Sequence, residues 1–477
     1  MGALTDDTHI VEFTIHERPI DIAEKLLASD PLIIGLGVYV WNIEQITHVA
    51  ALIKTVSPNT VLILGGPEVS FEQDQQPICN HADYIICGNG EQAFVELCQN
   101  VFSEQRPCEK IIRPAPPALE TLALPYQYYS DKDIAHRIIY VEASRGCPFK
   151  CEFCLSALDK TAWPFDIDLF LTEMDKLYKR GARHFKFVDR TFNMKIDNSI
   201  RIMEFFLQRL NDELFLHFEI IPDHLPERLK ETISRFPAGS LQFEVGVQTF
   251  NEKTQALISR RQNNHKTNEN LRWIREHTHA HIHADLIIGL PGEDMQSFAS
   301  GFNRLVALNP HEIQVGILKR LRGSPIIRHS KEFDMRYNPL PPYNILSNGL
   351  IDFSTMQRLS RFARYWGMIA NSGRFQNTLP LILADTPFEN FLKLSDWLFA
   401  TTDQTHKISL KRLFTLIYQG AVQALNLNRN ELETSLHHDH LSSGLKGVLD
   451  IGCAIEASGF GTKYNTASSR QQRHKTQ

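Results

Sequence analysis

Along the first hundred or so residues, continuous apolar runs alternate with amphipathic stretches. Segments 9–15, 31–40, 61–64 and 83–87 predict strands, and 21–28, 43–56 and 92–101 predict helices. Runs such as Leu32-Ile-Ile-Gly-Leu-Gly-Val38 show no polar alternation, which suits parallel strands buried on both faces. The strand–helix alternation therefore predicts an α/β, doubly wound, Rossmann-like domain over 1–112. Four strands are fewer than the five or so that such a sheet often holds, so its first strand is expected to be missing. Segment 113–137, rich in proline and tyrosine, reads as a linker.

A second alternating series starts at 138. Strands are predicted at 139–142, 184–188, 214–220, 241–247, 282–288 and 312–318, with helical periodicity at 167–179, 197–210, 225–236, 268–277 and 295–308. Six such units predict a partial parallel (βα)6 barrel over 138–330, with its chemistry at the carboxyl ends of the strands. Region 331–461 predicts a helical domain, with helices at 355–370, 387–398 and 410–423 whose aromatic stripes suit core packing. The polar stretch 462–477 predicts a disordered tail.

Composition then narrows the class. A chain of 477 residues predicts two or three domains. No segment approaches the roughly 18 consecutive apolar residues of a membrane span. The start, Met-Gly-Ala-Leu-Thr-Asp-Asp, lacks the basic and apolar regions of a secretion signal, so a cytoplasmic protein is expected. A net charge of -5 lends no support to nucleic-acid binding.

Of the eight cysteines, Cys79, Cys87, Cys98, Cys108 and Cys453 are scattered and read as small buried hydrophobes. Cys147, Cys151 and Cys154 instead share the segment Glu142-Ala-Ser-Arg-Gly-Cys147-Pro-Phe-Lys-Cys151-Glu-Phe-Cys154, just after the first barrel strand. Three thiolates on one loop can hold three irons of a cubane and leave the fourth open. The competing reading is a structural zinc site, completed by a residue such as His184, although zinc sites usually pair cysteines at C-x₂₋₄-C and take four protein ligands.

The run Arg-Gly-Cys-x-x-x-Cys-x-Phe-Cys resembles the signature of the radical S-adenosylmethionine (SAM) superfamily. That resemblance implies a 4Fe–4S cluster on Cys147, Cys151 and Cys154. Its open iron would chelate the amino and carboxylate groups of SAM, and an electron would cleave SAM to methionine and a 5′-deoxyadenosyl radical. The resemblance also implies SAM contacts: Phe153 before the last cysteine, Asp189 in Phe187-Val-Asp-Arg-Thr-Phe-Asn193, and Glu244 and Gln248 in Phe243-Glu-Val-Gly-Val-Gln-Thr249. Gly289 and Gly292, in His283-Ala-Asp-Leu-Ile-Ile-Gly-Leu-Pro-Gly-Glu293, would let the adenine approach the backbone. An electron donor such as a flavodoxin or ferredoxin follows from the same resemblance, and so does a substrate that the sequence does not name.

A doubly wound domain ahead of such a barrel resembles the cobalamin-binding subclass. Gly65 and Gly66 in Gly65-Gly-Pro-Glu68, with Gly88 and Gly90 in Gly88-Asn-Gly-Glu91, fall at strand ends, where open α/β sheets bind ligands, and are the implied cobalamin contacts. No Asp-x-His-x-x-Gly occurs, so the implied cobalt lacks the histidine of the usual loop. Arg361-Phe-Ala-Arg-Tyr-Trp366 and Leu394-Ser-Asp-Trp397 resemble the C-terminal extension of an uncharacterised group of such proteins. The leading expectation is a cobalamin-associated radical SAM enzyme that performs methyl transfer or a radical rearrangement or oxidation. The alternatives are a cobalamin-independent enzyme whose first domain is a substrate platform, and a non-catalytic iron–sulfur or zinc protein.

Overall fold

Buried apolar runs set the first sheet. In the computed structural model, which describes residues 4–159, 162–447 and 449, β1 (Ile33–Gly37), β2 (Val61–Gly65), β3 (Tyr84–Ile86) and β4 (Ile111–Ile112) pair in parallel in that order. Alternate residues feed opposite faces. Leu62, Leu64 and Ile85 pack under α1 (Pro19–Leu27), α2 (Ile43–Val56) and α3 (Pro77–His81), whereas Val61, Ile63, Tyr84 and Ile86 pack under α4 (Glu91–Phe102). Helices on both faces make the sheet doubly wound.

One strand expected here does not form. Segment 9–15 is irregular, with Ile10, Val11 and Ile15 exposed. Its alternation meets no neighbouring strand, and Pro19 opens a helix a few residues later. The fourth strand is instead Ile111–Ile112, where Ile85 N–H donates to Lys110 and Cys87 N–H to Ile112.

The second sheet holds six parallel strands in chain order: β5 (Ile139–Val141), β6 (His184–Phe187), β7 (Phe215–Ile220), β8 (Leu241–Gln248), β9 (His281–Ile288) and β10 (Glu312–Ile317). Phe185, Phe187, Leu216, Phe218, Phe243, Val245 and Ile282 alternate onto the apolar face. There they meet helices that include α5 (Ile167–Lys179), α6 (Ile196–Leu207), α7 (Glu227–Ile233), α8 (Asn264–His277) and α9 (Met295–Ala307). The opposite face carries Lys186, His217, Glu244, His283, Asp285 and Glu312, which pair with one another along and across the strands.

The C-terminal helices extend this core rather than founding another. Phe362 and Trp366 of α10 (Phe353–Ile369) and Phe388 and Phe391 of α11 (Pro387–Thr402) pack around Phe302 of α9, with Phe302 4.8 Å from Trp366 and 5.2 Å from Phe362. Helices α12 (Leu410–Leu425) and α13 (Arg429–Ser442) follow. The last escapes periodicity because its buried positions mix Leu432 and Leu436 with the polar Glu433, Asp439 and His440. Segment 462–477 and Cys453 lie outside the described residues. Cys79, Cys87 and Cys98 are buried as expected, but Cys108 is exposed. Among the described residues, no helix is long and apolar enough to cross a membrane.

The two sheets are fastened together by charge. Arg322 donates to Glu68 (3.0 Å) and Glu72 (2.8 Å), Arg320 donates to Glu72 (3.0 Å), and the Tyr343 hydroxyl donates to Glu68. Arg145 adds a bond to Glu91 at 2.6 Å.

Candidate functional site: a cysteine cavity and a glycine cavity

The cysteine loop leaves the carboxyl end of β5. A short antiparallel pairing of Ser144–Arg145 with Trp163–Pro164 closes its base, Gly146 turns it with φ +92°, and the Cys147 N–H donates to Asp159. Glu152 pins the loop from inside. Its buried carboxylate takes hydrogen bonds from Ser259 (2.5 Å) and Arg328 (2.5 Å) and pairs with His329 (2.9 Å), while its backbone joins Ile258 and Ile326.

Cys147 and Cys151 are buried and Cys154 is partly exposed, and all three line one cavity of about 240 Å³. The same cavity is lined by Phe153, Glu244, Gln248, Arg190, Glu219, Arg260 and Asp285, so the structure gathers three thiols and three of the expected SAM contacts in one place. Burial pushes the Cys147 thiol up to about 11 and raises that of Cys151 against the pull of Arg260. Arg260 lies 3.5 Å from the Cys151 sulfur.

Asp189 sits elsewhere. It lines no part of this cavity; its oxygens accept from the Ala143 N–H (2.9 Å) and the Ser144 hydroxyl (2.5 Å), behind the loop. Burial lifts its carboxyl to about 7, against those two bonds. Gly289 and Gly292 are also apart from the cavity. A Cβ on Gly289 would lie 2.6 Å from Ile345, and one on Gly292 would lie 2.7 Å from Leu257, so both glycines serve packing.

Charges on the polar face of the sheet are paired before they reach the cavity. Glu244 receives His217 (3.0 Å) and Lys186 (3.3 Å), and its carboxyl is held down near 2 by the His217 bond, which outweighs burial. Burial lowers His217 and raises Glu219, which Arg190 meets at 2.9 Å. A bulge at Gly246–Gln248 puts Gln248 at φ +68° and turns its amide to the cavity. Sequence reasoning missed Glu152, Arg190, His217, Arg260 and Asp285. Period-2 alternation marked the strands, and charges inside them were the available signal for an enclosed polar face.

The zinc reading loses its proposed fourth ligand. His184 begins β6 and lines a different cavity at the amino ends of the strands, with Arg183, His281 and His311. Among the described residues, no three His, Cys, Asp or Glu side chains converge on a site for one metal ion. Three thiols spread around a cavity fit a cluster better than a single ion.

A second cavity, of about 260 Å³, lies at the carboxyl ends of β1–β3. It is lined by Gly35, Gly37, Gly65, Gly66, Gly88 and Gly90 with Leu36, Ile63, Leu64, Ile86 and Phe94. All four glycines expected to meet cobalamin are there. A Cβ would find nothing within 4 Å at Gly88 and only the Ile86 carbonyl, at 4.0 Å, at Gly65. These two leave space where a ligand can meet the backbone. Gly66, with φ +107°, is different, because a Cβ there would lie 2.5 Å from the Val38 carbonyl oxygen.

Comparison with known proteins covers the regions that hold both cavities. Residues 141–303 match the radical SAM superfamily, 2–98 the B12 binding domain, and 331–477 a protein family of unknown function, DUF4080. The class follows from these matches: the chain carries a radical SAM domain, an N-terminal B12-binding domain and an uncharacterised C-terminal region. The cofactors of these domains are a 4Fe–4S cluster, SAM and cobalamin. More particularly, it is similar to an uncharacterized methyltransferase of Pyrococcus horikoshii (28% identity over 39% of this chain and 46% of that protein). It is also similar to the cobalamin-dependent radical SAM methyltransferase TokK of Streptomyces tokunonensis (23% identity over 61% of this chain and 47% of that protein). Its fold is shared with the cobalamin-dependent SAM radical enzyme OxsB, solved with aqua-cobalamin bound (TM-score 0.56, 14% identity, 90% of this chain and 78% of that one). The chain spans about half the length of the curated relatives it matches.

Proposed function

We propose that this protein is a cobalamin-associated radical SAM enzyme, acting in the cytoplasm with an electron donor such as a flavodoxin or ferredoxin, and that it transfers a methyl group or performs a radical rearrangement or oxidation on a substrate yet to be identified. The observation that carries the reading is the convergence of Cys147, Cys151 and Cys154 on one cavity at the carboxyl ends of six parallel strands. Similarity to proteins named as methyltransferases favours methyl transfer among the three reactions.

In this reading Cys147, Cys151 and Cys154 hold the cluster, and Phe153, Glu244 and Gln248 face SAM. Loaded with cluster and SAM, the site supplies one-electron cleavage of the SAM carbon–sulfur bond. Around it, Arg260 places positive charge beside the Cys151 sulfur, which favours the thiolate that a metal needs. Glu244, kept ionised by His217 and Lys186, presents a fixed negative charge suited to the ammonium and ribose hydroxyls of SAM. Asp189 holds the loop in place from behind and Glu152 from inside. Gly65 and Gly88 leave room for cobalamin to approach the strand ends.

The test is anaerobic reconstitution with iron and sulfide, followed by SAM, a strong reductant and hydroxocobalamin. The expected products are 5′-deoxyadenosine, S-adenosylhomocysteine or both. A protein that fills its cluster and yields neither would overturn the enzymatic reading.

A further inference from the structure

Two aromatic rings stand beside the glycine cavity and stack on each other. Tyr39 and Trp41 are stacked, 4.6 Å between centroids and 7° from parallel, and remain 37% and 64% exposed. An exposed tryptophan alone means little, but the setting of this pair is specific. Gly37, which lines the cavity, would bring a Cβ within 3.4 Å of the Tyr39 ring, so the stack continues the cavity wall outward. The turn is held rigid. The Tyr39 N–H donates to the Asn42 side chain at 2.8 Å, the Asn42 amide donates to the Gly37 carbonyl at 3.0 Å, and the Val38 N–H donates to Gly65 at 2.8 Å.

Size gives the pair a purpose. The cavity, at about 260 Å³, is smaller than the roughly 300–1,000 Å³ that drug-sized ligands occupy. A corrinoid is larger than those ligands, so only part of it can enter, and the rest must lie over the strand ends where the rings stand. A flat macrocycle leaving a backbone-lined cavity gains most from a flat, apolar, pre-formed wall.

The geometry points to Tyr39 and Trp41 as a stacking wall for the part of cobalamin that projects from the glycine cavity. This assignment rests on the cobalamin reading above and adds binding residues to it. Because the Tyr39 backbone is already fixed by Asn42 and the two rings are stacked on one another, binding orders little of the chain.

Hydroxocobalamin titration of the full chain, followed by absorbance, tests the wall. The intact protein is expected to bind, Trp41→Ala to bind about tenfold more weakly or worse, and Trp41→Phe to recover much of the loss. Phe353→Ala, an equally exposed aromatic far along the chain, serves as control and leaves affinity unchanged. Equal affinity in Trp41→Ala and the intact protein would overturn the stacking wall while leaving cobalamin binding in place. If Trp41→Ala instead changes only the sedimentation of the protein, the rings form a contact between copies and the assignment fails. No uptake by the intact protein, with its cluster full, would remove the cobalamin reading and the wall together.

Discussion

The two cavities lie at the carboxyl ends of two parallel sheets, yet they are built from opposite materials. The cysteine cavity is lined by side chains, with its carboxylates fastened: Glu244 by His217 and Lys186, Glu219 by Arg190, and the loop itself by Glu152. The glycine cavity is lined largely by backbone and by small gaps where a Cβ is missing. A parallel sheet offers the same place for a ligand in both, as the ends of its strands always do. What differs is how the place is specified. Removing atoms should damage the first cavity, and adding atoms should damage the second.

The largest effect is expected at the cysteines. Cys151→Ala deletes one of three thiols that have no substitute nearby, so iron and sulfide after anaerobic reconstitution should fall from about four each per chain to near zero. Retention of a full cluster would break the side-chain half of the comparison.

The glycines separate into two kinds. Gly66→Val drives a Cβ into the Val38 carbonyl at a positive φ, and should cost about 1–3 kcal/mol or more in urea unfolding, whatever is bound. Gly65→Val meets no such obstacle, so folding and cluster content should hold while hydroxocobalamin affinity drops at least about tenfold. Normal affinity in Gly65→Val would show that the cavity is not where the ligand meets the chain.

A second substitution in the cysteine region tests placement. Asp189→Ala strips the Ala143 N–H and Ser144 hydroxyl of their acceptor, and should lower stability by roughly 1–3 kcal/mol. SAM affinity per assembled cluster is expected to be unchanged, because the carboxylate faces the back of the loop. A specific loss of SAM binding at full stability would return Asp189 to the front.

Asp189 also shows where the sequence stopped being legible. The six barrel strands, the helices between them and the cysteine loop follow from period-2 and period-3.6 patterns and from a local spacing, all of which survive in one dimension. Whether a strand-end carboxylate turns toward the cavity or behind it depends on which donors the fold brings near, and Ala143 and Ser144 lie 45 or more residues away. The same holds for Gly289 and Gly292, whose close neighbours include Ile345 and Phe333. Segment 9–15 alternates like a strand but has no partner to pair with, and pairing is a non-local fact. Glycines at strand ends were readable as a group, but only three dimensions distinguish Gly65, which leaves room, from Gly66, which the turn itself requires.

The most gradual expected effect concerns the polar face that leads into the cysteine cavity, and it sharpens the comparison because the glycine cavity has no counterpart. Burial works against a charge on His283, but Asp285 at 3.3 Å and Glu312 at 3.2 Å outweigh it and hold the imidazolium up to about 10. Burial also raises Asp285, so the folded pair keeps its proton more firmly than the unfolded chain does. A group whose folded pKa is raised stabilises fully below its unfolded value, near 6.5 for histidine, and that stabilisation disappears as pH rises through the folded value. Stability of the intact protein should therefore decline gradually between pH 6.5 and about 10, by at most about 1.4 kcal/mol per pH unit from this one group. Urea unfolding at half-unit steps across that window measures it. His283→Gln keeps a hydrogen-bonding side chain without the titration, and should be less stable near pH 6.5 yet flatter above it. An equal slope in both proteins would mean that the proton is held elsewhere on the sheet.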